Sequence, residues 1–310
     1  MRACPLAREV RDAPLRSIAR VLRLLAPAKI NVTLEILSRR NDGYHALRSV
    51  MLPIALYDEI ELMPAEATRF DTSDDSLASD NLVMRALAAS GVTTTHAVRL
   101  AKTIPVGGGL GGGSSDAAVV LRAAMRGDLG TTPAQTDWIA VAAKLGSDVP
   151  FFLLGTGALV EGYGERVTAI GALPPWWVVV VRPHAFVATA DAYRRLDDAR
   201  VTAPVPSRAR ATSASLAAVD ALQRKDFATL DDSLVNDFHD LVLDAYPDVA
   251  RAHDAFVAAG APRALLSGSG SCLFALFENE ARARAVAGTI DPASCEAVFA
   301  VPLHRDDAWR

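Results

Sequence analysis

Apolar and polar positions begin to alternate regularly at Val21. In "VLRLLAPAKINVTLEIL" (21–37) apolar residues alternate with polar ones around Asn31, Thr33 and Glu35, the two-residue period of a strand. Pro27 interrupts the run, so it predicts one strand or two. "ALRSVMLPIALYDEIELMP" (46–64) predicts further strands. The period then changes: Asp80 suits a helix cap, "NLVMRALAAS" follows, and Gly91 suits the stop. "HAVRLAKTIP" (96–105) alternates again. "PAQTDWIAVAAKLG" (133–146) is helical in period and ends with Lys144 and Gly146, which suit a helix C-terminus.

Beyond these, "ALVEGYGERVTAI" (158–170) and "WWVVVVRP" (176–183) predict strands, the second apolar enough to be buried on both faces. Residues 197–215, polar with two prolines, predict an exposed loop. A helix-rich stretch runs to Gly260. "PRALLSGSGSCLFALF" (262–277) reads as strand, small-residue turn and strand, followed by a helix from 278 and a strand near 296–301. Mixed elements of this kind predict an α+β protein. Trp176 and Trp177 read as packing residues.

Length sharpens the picture. A chain of 310 residues is long for one core and predicts two domains with a cleft between them. "GALPP" (171–175) is the expected boundary, giving domains over 24–170 and 171–310. Residues 1–23 carry six arginines without the apolar core of a secretory signal, and are read as a disordered N-terminal extension. The composition, 51% hydrophobic and 22% charged, is that of a globular protein. No apolar run approaches the ~18 residues of a membrane-spanning helix. A net charge of −4 offers no basic field for nucleic acid. The three cysteines, Cys4, Cys272 and Cys295, have no zinc-site spacing and read as reduced thiols of a cytoplasmic protein.

The chemistry concentrates in "PVGGGLGGGSSDAA" (105–118), which holds six glycines between Val106 and Ser114 and runs into an alanine-rich helical stretch. The first four N–H groups of a helix lack intrahelical partners, and the helix dipole adds positive character there. Glycines let such a backbone close around a phosphate. A flexible turn is the plainer alternative. The loop lacks the Gly-Lys-Ser/Thr of a Walker motif. A GxGxxG match within so many glycines has no weight, and no acidic residue closes a strand about twenty positions later, as a dinucleotide fold requires. Ser114 and Ser115 suit a helix cap, phosphate oxygens or a magnesium ion.

This loop resembles the nucleotide-binding motif of the GHMP kinases, the family of galactokinase, homoserine kinase and mevalonate kinase. The doubled triplet "GGGLGGGSS" is most similar to the members that act on 4-diphosphocytidyl-2-C-methyl-D-erythritol. "APAKINVTLEILSRRNDGYHALRSVM" (26–51) and "ALLSGSGSCLFALF" (264–277) resemble two further motifs of those enzymes, in the same order. The likeness spans about residues 24 to 305. It implies the two-domain GHMP kinase fold: an N-terminal domain like ribosomal S5 domain 2 and a ferredoxin-like C-terminal domain. It also implies phosphorylation of the C2 hydroxyl of that substrate by ATP with Mg2+, by a monomer or weak homodimer. The partners implied are small molecules only, with no nucleic acid and no membrane.

Taken alone, Lys29 reads as a solvated surface lysine and Asp148 in "GSDVPFF" as a turn or cap residue. The resemblance makes them the catalytic lysine and the general base, an ammonium that stabilises the attacking oxygen beside a carboxylate that takes its proton. The same resemblance assigns ATP to Pro105, Val106, Gly107, Gly108, Gly109, Leu110, Gly111, Gly112, Gly113, Ser114 and Ser115. It assigns substrate to Asn31, on the strand face of Lys29, and to Tyr44 and His45 of "DGYH", which contact cytosine in the related kinases. Thr189 and Tyr193 resemble the closing face of that base site. Ser267, Gly268, Ser269 and Gly270 form a small-residue loop approaching the transferred phosphate. The magnesium ligands stay unassigned. A kinase for another alcohol, a decarboxylase on the same fold, and a non-catalytic nucleotide binder remain open at this point.

Overall fold

A computed structural model describes residues 21–39, 45–74, 77, 81–130, 136–202 and 213–304. In chain order the elements are β1 (Leu22–Arg39), β2 (His45–Pro64), β3 (Arg69–Thr72), α1 (Leu82–Ala89), β4 (His96–Ala101), α2 (Gly112–Met125), α3 (Trp138–Leu145) and α4 (Val149–Leu154). Then come β5 (Ala158–Gly162), β6 (Arg166–Ala169), β7 (Trp177–Arg182), α5 (Thr189–Thr202), α6 (Ala214–Arg224), α7 (Phe227–Ser233) and β8 (Val235–Asn236). The chain closes with α8 (His239–Ala245), α9 (Pro247–Ala258), β9 (Leu265–Leu266), β10 (Leu273–Phe277), α10 (Glu280–Ala287) and β11 (Ala297–Pro302).

Seven strands form one sheet in the order β3-β4-β2-β1-β8, with the hairpin β5-β6 joined to β2. β2 is long enough to serve two neighbours: its first residues pair with β5 and its last with β4. The second sheet has the order β11-β7-β10-β9 and is antiparallel throughout. The expected boundary segment, 171–175, lies between β6 and β7, and β8 from the second half of the chain pairs back onto β1.

The alternation in β1 is realised along its whole length. Leu24, Ala26, Ala28, Ile30, Val32, Leu34 and Ile36 are all buried, and they enter three successive cores. Pro27 does not split the strand; the register shifts there and again between Asn31 and Thr33. A bulge locally re-aims side chains, and Lys29 stands between these two shifts. In β7, Val178 and Val180 face the core shared with β1, whereas Val179 and Val181 face the core formed with α8–α10. That two-sided burial is what its apolar run implied.

Four sequence expectations need correction. The α1 cap is Asn81, whose side chain accepts from the Met84 N–H at 2.9 Å; Asp80 lies outside the described residues. Residues 197–202 belong to α5, since the helix continues to Thr202, just short of Pro204 and Pro206; a proline bars the helical turn behind it. α2 is capped by Gly111 in the left-handed conformation (φ 71°), with no side-chain cap bond, so Ser114 and Ser115 sit inside its first turn. The strand begins at Leu22 and thus includes the last residues assigned to the N-terminal extension, of which residues 1–20 lie outside the description.

Candidate active site

β4 ends at Ala101, and the chain turns through 102–104 into the glycine loop. Asp58, fully buried in β2, fixes this turn: its Oδ1 accepts from the N–H groups of Thr103 (2.6 Å) and Ile104 (2.8 Å). Its Oδ2 accepts from Lys102 Nζ at 2.5 Å, and Lys102 also donates to Asp116 Oδ2 of α2 at 2.8 Å. One ammonium therefore ties the two ends of the loop to β2. Burial alone lowers the Lys102 pKa, but Asp116 and then Asp58 outweigh it and hold it above the ordinary lysine range. Burial pushes the Asp116 carboxyl up to about 7; Lys102 opposes the rise and Asp58 adds to it.

The loop's carbonyls are held by the rest of the molecule. Lys29 N–H donates to Leu110 O (2.9 Å), Cys272 N–H to Gly108 O (3.1 Å), and Ser267 Oγ to Gly109 O (3.0 Å). Arg182, beside Glu296, donates through Nη1 to Val106 O at 2.8 Å. With the carbonyls engaged, the N–H groups of Gly111, Gly112, Gly113 and Ser114 have no acceptor among the described residues. These are the orphan donors of α2, available for anionic oxygen.

Lys29 lies beneath this loop with its side chain only 4% exposed. Its Nζ donates to Asn31 Oδ1 (2.5 Å) and Gly109 O (2.9 Å), and stands 3.5 Å from Asp148 Oδ2. Asn31 is itself fixed, because its Nδ2 donates to Ser49 Oγ at 2.8 Å and that hydroxyl donates to Thr33 O at 2.6 Å. Asp148 precedes α4 in the cap position without making a side-chain cap bond; its carboxylate turns toward the ammonium. A buried ammonium is tolerated only with such partners, since removing one from a buried pair costs about 3–5 kcal/mol.

From the second half of the chain, the loop 267–270 closes on the same point. A Cβ placed on Gly268 would stand 3.4 Å from Lys29 Nζ. Asn236 supports this loop by donating to Leu266 O (2.7 Å) and Gly268 O (2.8 Å). Ser269 Oγ meets Thr189 Oγ1 at 2.9 Å, which brings in α5. Gly270 N–H donates back to Ser267 O at 3.0 Å and tightens the loop.

Beside Asp148 opens a cavity of about 1300 Å³, lined by His45, Ser147, Pro150, Thr189, Tyr193 and Asp197 among others. The His45 and Tyr193 rings stack with centroids 5.1 Å apart and planes at 30°. Burial pushes the Tyr193 phenol up to about 12, and the nearby Asp148 charge adds to the rise. Lys29, Asn31, Asp148, the glycine loop and 267–270 thus meet at one place, with His45, Thr189 and Tyr193 in the adjoining cavity. Tyr44 lies outside the described residues. Sequence reasoning missed Lys102, Asp58, Asp116, Arg182, Asn236 and Asp197. The signal available for Asp116 was a carboxylate inside an alanine-rich helical run.

Two family models match the chain: the GHMP kinases N-terminal domain over residues 81–156 and the GHMP kinases C-terminal domain over residues 218–296. The chain belongs to the GHMP kinase family. This GHMP kinase is 41% identical over 267 residues to the 4-diphosphocytidyl-2-C-methyl-D-erythritol kinase of Symbiobacterium thermophilum, covering 83% of the chain and 91% of the relative. It is 40% identical over 290 residues to the enzyme of that name from Geobacter metallireducens, covering 90% of the chain and 98% of the relative. A crystal structure of 4-(cytidine 5'-diphospho)-2C-methyl-D-erythritol kinase superposes with a TM-score of 0.71 at 34% identity, over 91% of this chain and 99% of that one. Homoserine kinase from Cytophaga hutchinsonii, at 19% identity and a TM-score of 0.67 over 95% of this chain and 98% of its own, shares the fold. The two-domain α+β GHMP kinase fold expected from the sequence is the fold found.

Proposed function

We propose that the chain transfers the γ-phosphoryl group of ATP to the C2 hydroxyl of 4-diphosphocytidyl-2-C-methyl-D-erythritol, in the non-mevalonate route to isoprenoid precursors. The observation that carries this reading is the meeting of Lys29, Asp148 and the bared N-terminus of α2, in a chain whose 35–41% identical relatives are named for that substrate. The α2 N–H groups hold the nucleotide's phosphates. Asp148 accepts the proton of the C2 hydroxyl as its oxygen bonds to the γ-phosphorus. The bond to the β-phosphate oxygen breaks, and ADP leaves. Lys29 Nζ stabilises negative charge on the attacking oxygen, and its bond to the Gly109 carbonyl keeps that charge in register with the loop. The substrate's cytidine lies in the cavity with His45, Thr189 and Tyr193, Asn31 and the loop 267–270 orient its reacting end, and Tyr44 keeps the base contact that the family resemblance implies.

Magnesium belongs to the same reading, because Mg2+ binds largely through nucleotide phosphates and needs only one or two protein oxygens. Ser115 Oγ, buried in the first turn of α2 without a hydrogen-bond partner among the described residues, suits that role, with Ser114 beside it. When bound, the ion neutralises phosphate charge. Residues 24–170 supply the ATP side and 171–310 much of the substrate side. The enzyme works in the cytoplasm as a monomer or weak homodimer, with small molecules as its only partners. ADP release tests the reading, with 4-diphosphocytidyl-2-C-methyl-D-erythritol offered beside mevalonate, diphosphomevalonate, homoserine and galactose. Turnover with the cytidyl compound alone is expected; turnover with another alcohol, or with none, overturns the assignment.

A further inference from the structure

His45 is held in two independent ways by one helix. Tyr193 and Asp197 are four residues apart on α5 and so project from the same face. Tyr193 stacks on the imidazole, fixing the plane of the ring. Asp197 Oδ1 lies 2.7 Å from His45 Nε2, fixing its rotation within that plane. A carboxylate only accepts, so the proton of this bond is on Nε2. His45 Nδ1 makes no hydrogen bond among the described residues, and the residue lines the cavity. An imidazole with its side chain only 6% exposed, clamped in plane and rotation, leaves a single nitrogen for a ligand.

The geometry points to Asp197 as the positioning residue that makes His45 a reader of the exocyclic amine of cytosine. This rests on the substrate reading above. With Nε2 protonated, a neutral imidazole offers Nδ1 as an acceptor. Cytosine presents an N4 amine, a donor, where uracil presents the O4 carbonyl, an acceptor. An Nδ1 lone pair therefore attracts the first and repels the second. Without Asp197 the ring is free to carry its proton on Nδ1 and to rotate, and the distinction weakens. Asp197 touches neither phosphate nor the reacting hydroxyl in this arrangement, so its effect falls on substrate affinity and base choice.

The test compares wild type, Asp197→Ala and Asp197→Asn in two measurements. Long-range proton–nitrogen NMR spectra of the His45 ring, recorded without substrate, are expected to show the Nε2–H tautomer in wild type and a mixture in Asp197→Ala. Steady-state kinetics with the cytidyl substrate and its uridyl counterpart are expected to show KM for the cytidyl compound rising on the order of tenfold in Asp197→Ala, the worth of one charge-assisted hydrogen bond. The preference over the uridyl compound falls by a similar factor, while kcat and KM for ATP move less than about twofold. Asp197→Asn, which keeps an acceptor oxygen, retains most of the preference. An unchanged tautomer in Asp197→Ala, or equal losses in kcat and in KM for both substrates, overturns the proposal. A wild-type enzyme that turns over neither nucleotide compound overturns the substrate reading, whereas the ring tautomer still decides the Asp197–His45 pair.

Discussion

Gly109 is where the glycine loop and the loop 267–270 press against each other. Its φ is +76°, and a Cβ built on it falls on the Ser267 carbonyl oxygen, 3.0 Å from the carbonyl carbon and 3.2 Å from Gly270 O. Every one of these is a backbone atom, so no side-chain rotation makes room. Gly109→Ala therefore forces the two loops apart, and an alanine held at positive φ adds about 1–2 kcal/mol. Overpacking contributes roughly 1–3 kcal/mol more. Summed, the folded state should lose about 2–5 kcal/mol, a fall of at least ~3 °C in Tm. Catalysis should suffer further, because Gly109 O is an acceptor for both Lys29 Nζ and Ser267 Oγ. A displacement of about 1 Å at such a point is worth up to 10²-fold in kcat. Gly113→Ala is the control for stability: its Cβ would meet only Leu82 Cδ1 at 3.6 Å, at ordinary helical backbone, and a helical alanine is favoured over glycine. Differential scanning calorimetry reads both variants, and steady-state kinetics reads Gly109→Ala against wild type. A Gly109→Ala enzyme with wild-type Tm and kcat would refute the claim that the two loops form one cradle.

Asp148→Ala should lower kcat about 10²–10⁴-fold while a fluorescent ATP analogue binds nearly as before; near-normal turnover removes it as the base. His45→Ala should chiefly raise KM for the cytidyl substrate, and an unchanged kcat/KM removes it from the base site. Asp116 predicts a stability profile: its folded carboxyl titrates near 7 and an unfolded aspartate near 3.8, so between these values the folded chain holds the extra proton. Its contribution to stability is fully present below about pH 4, declines as pH rises, and is lost above about 7. Asp116→Asn cannot ionise, so its Tm relative to wild type should climb across that window; a flat difference contradicts the assignment.

Much of the fold was legible because its strands alternate cleanly. The apolar set of β1 and the double-sided run of β7 occupy the cores that their patterns implied. Alternation could not reveal that the polar set of β1 is buried too. Lys29, Asn31, Thr33 and Glu35 are at most 7% exposed, because Ser49, Ser215, Gly109 and their neighbours cover that side. Hence residue type alone made Lys29 a surface lysine, and only the motif around it suggested otherwise. The glycine loop was legible through composition and through its place between a strand and a helix. Asp148 carried no local sign of its partner, since its approach to Lys29 depends on tertiary folding. The ties that hold the loop, from Asp58, Lys102, Asp116 and Arg182, join distant segments, and no periodicity records them. Asp197 was hidden because nearby prolines suggested a loop, whereas α5 runs on until just before Pro204.

Phosphorus NMR of a reaction containing the enzyme, ATP, magnesium and 4-diphosphocytidyl-2-C-methyl-D-erythritol reads the transferred group itself. A new phosphomonoester resonance is expected, equal in amount to the ADP formed, with the substrate's diphosphate signals retained as a pair. Inorganic phosphate in place of that monoester, or no loss of ATP, would contradict the transfer.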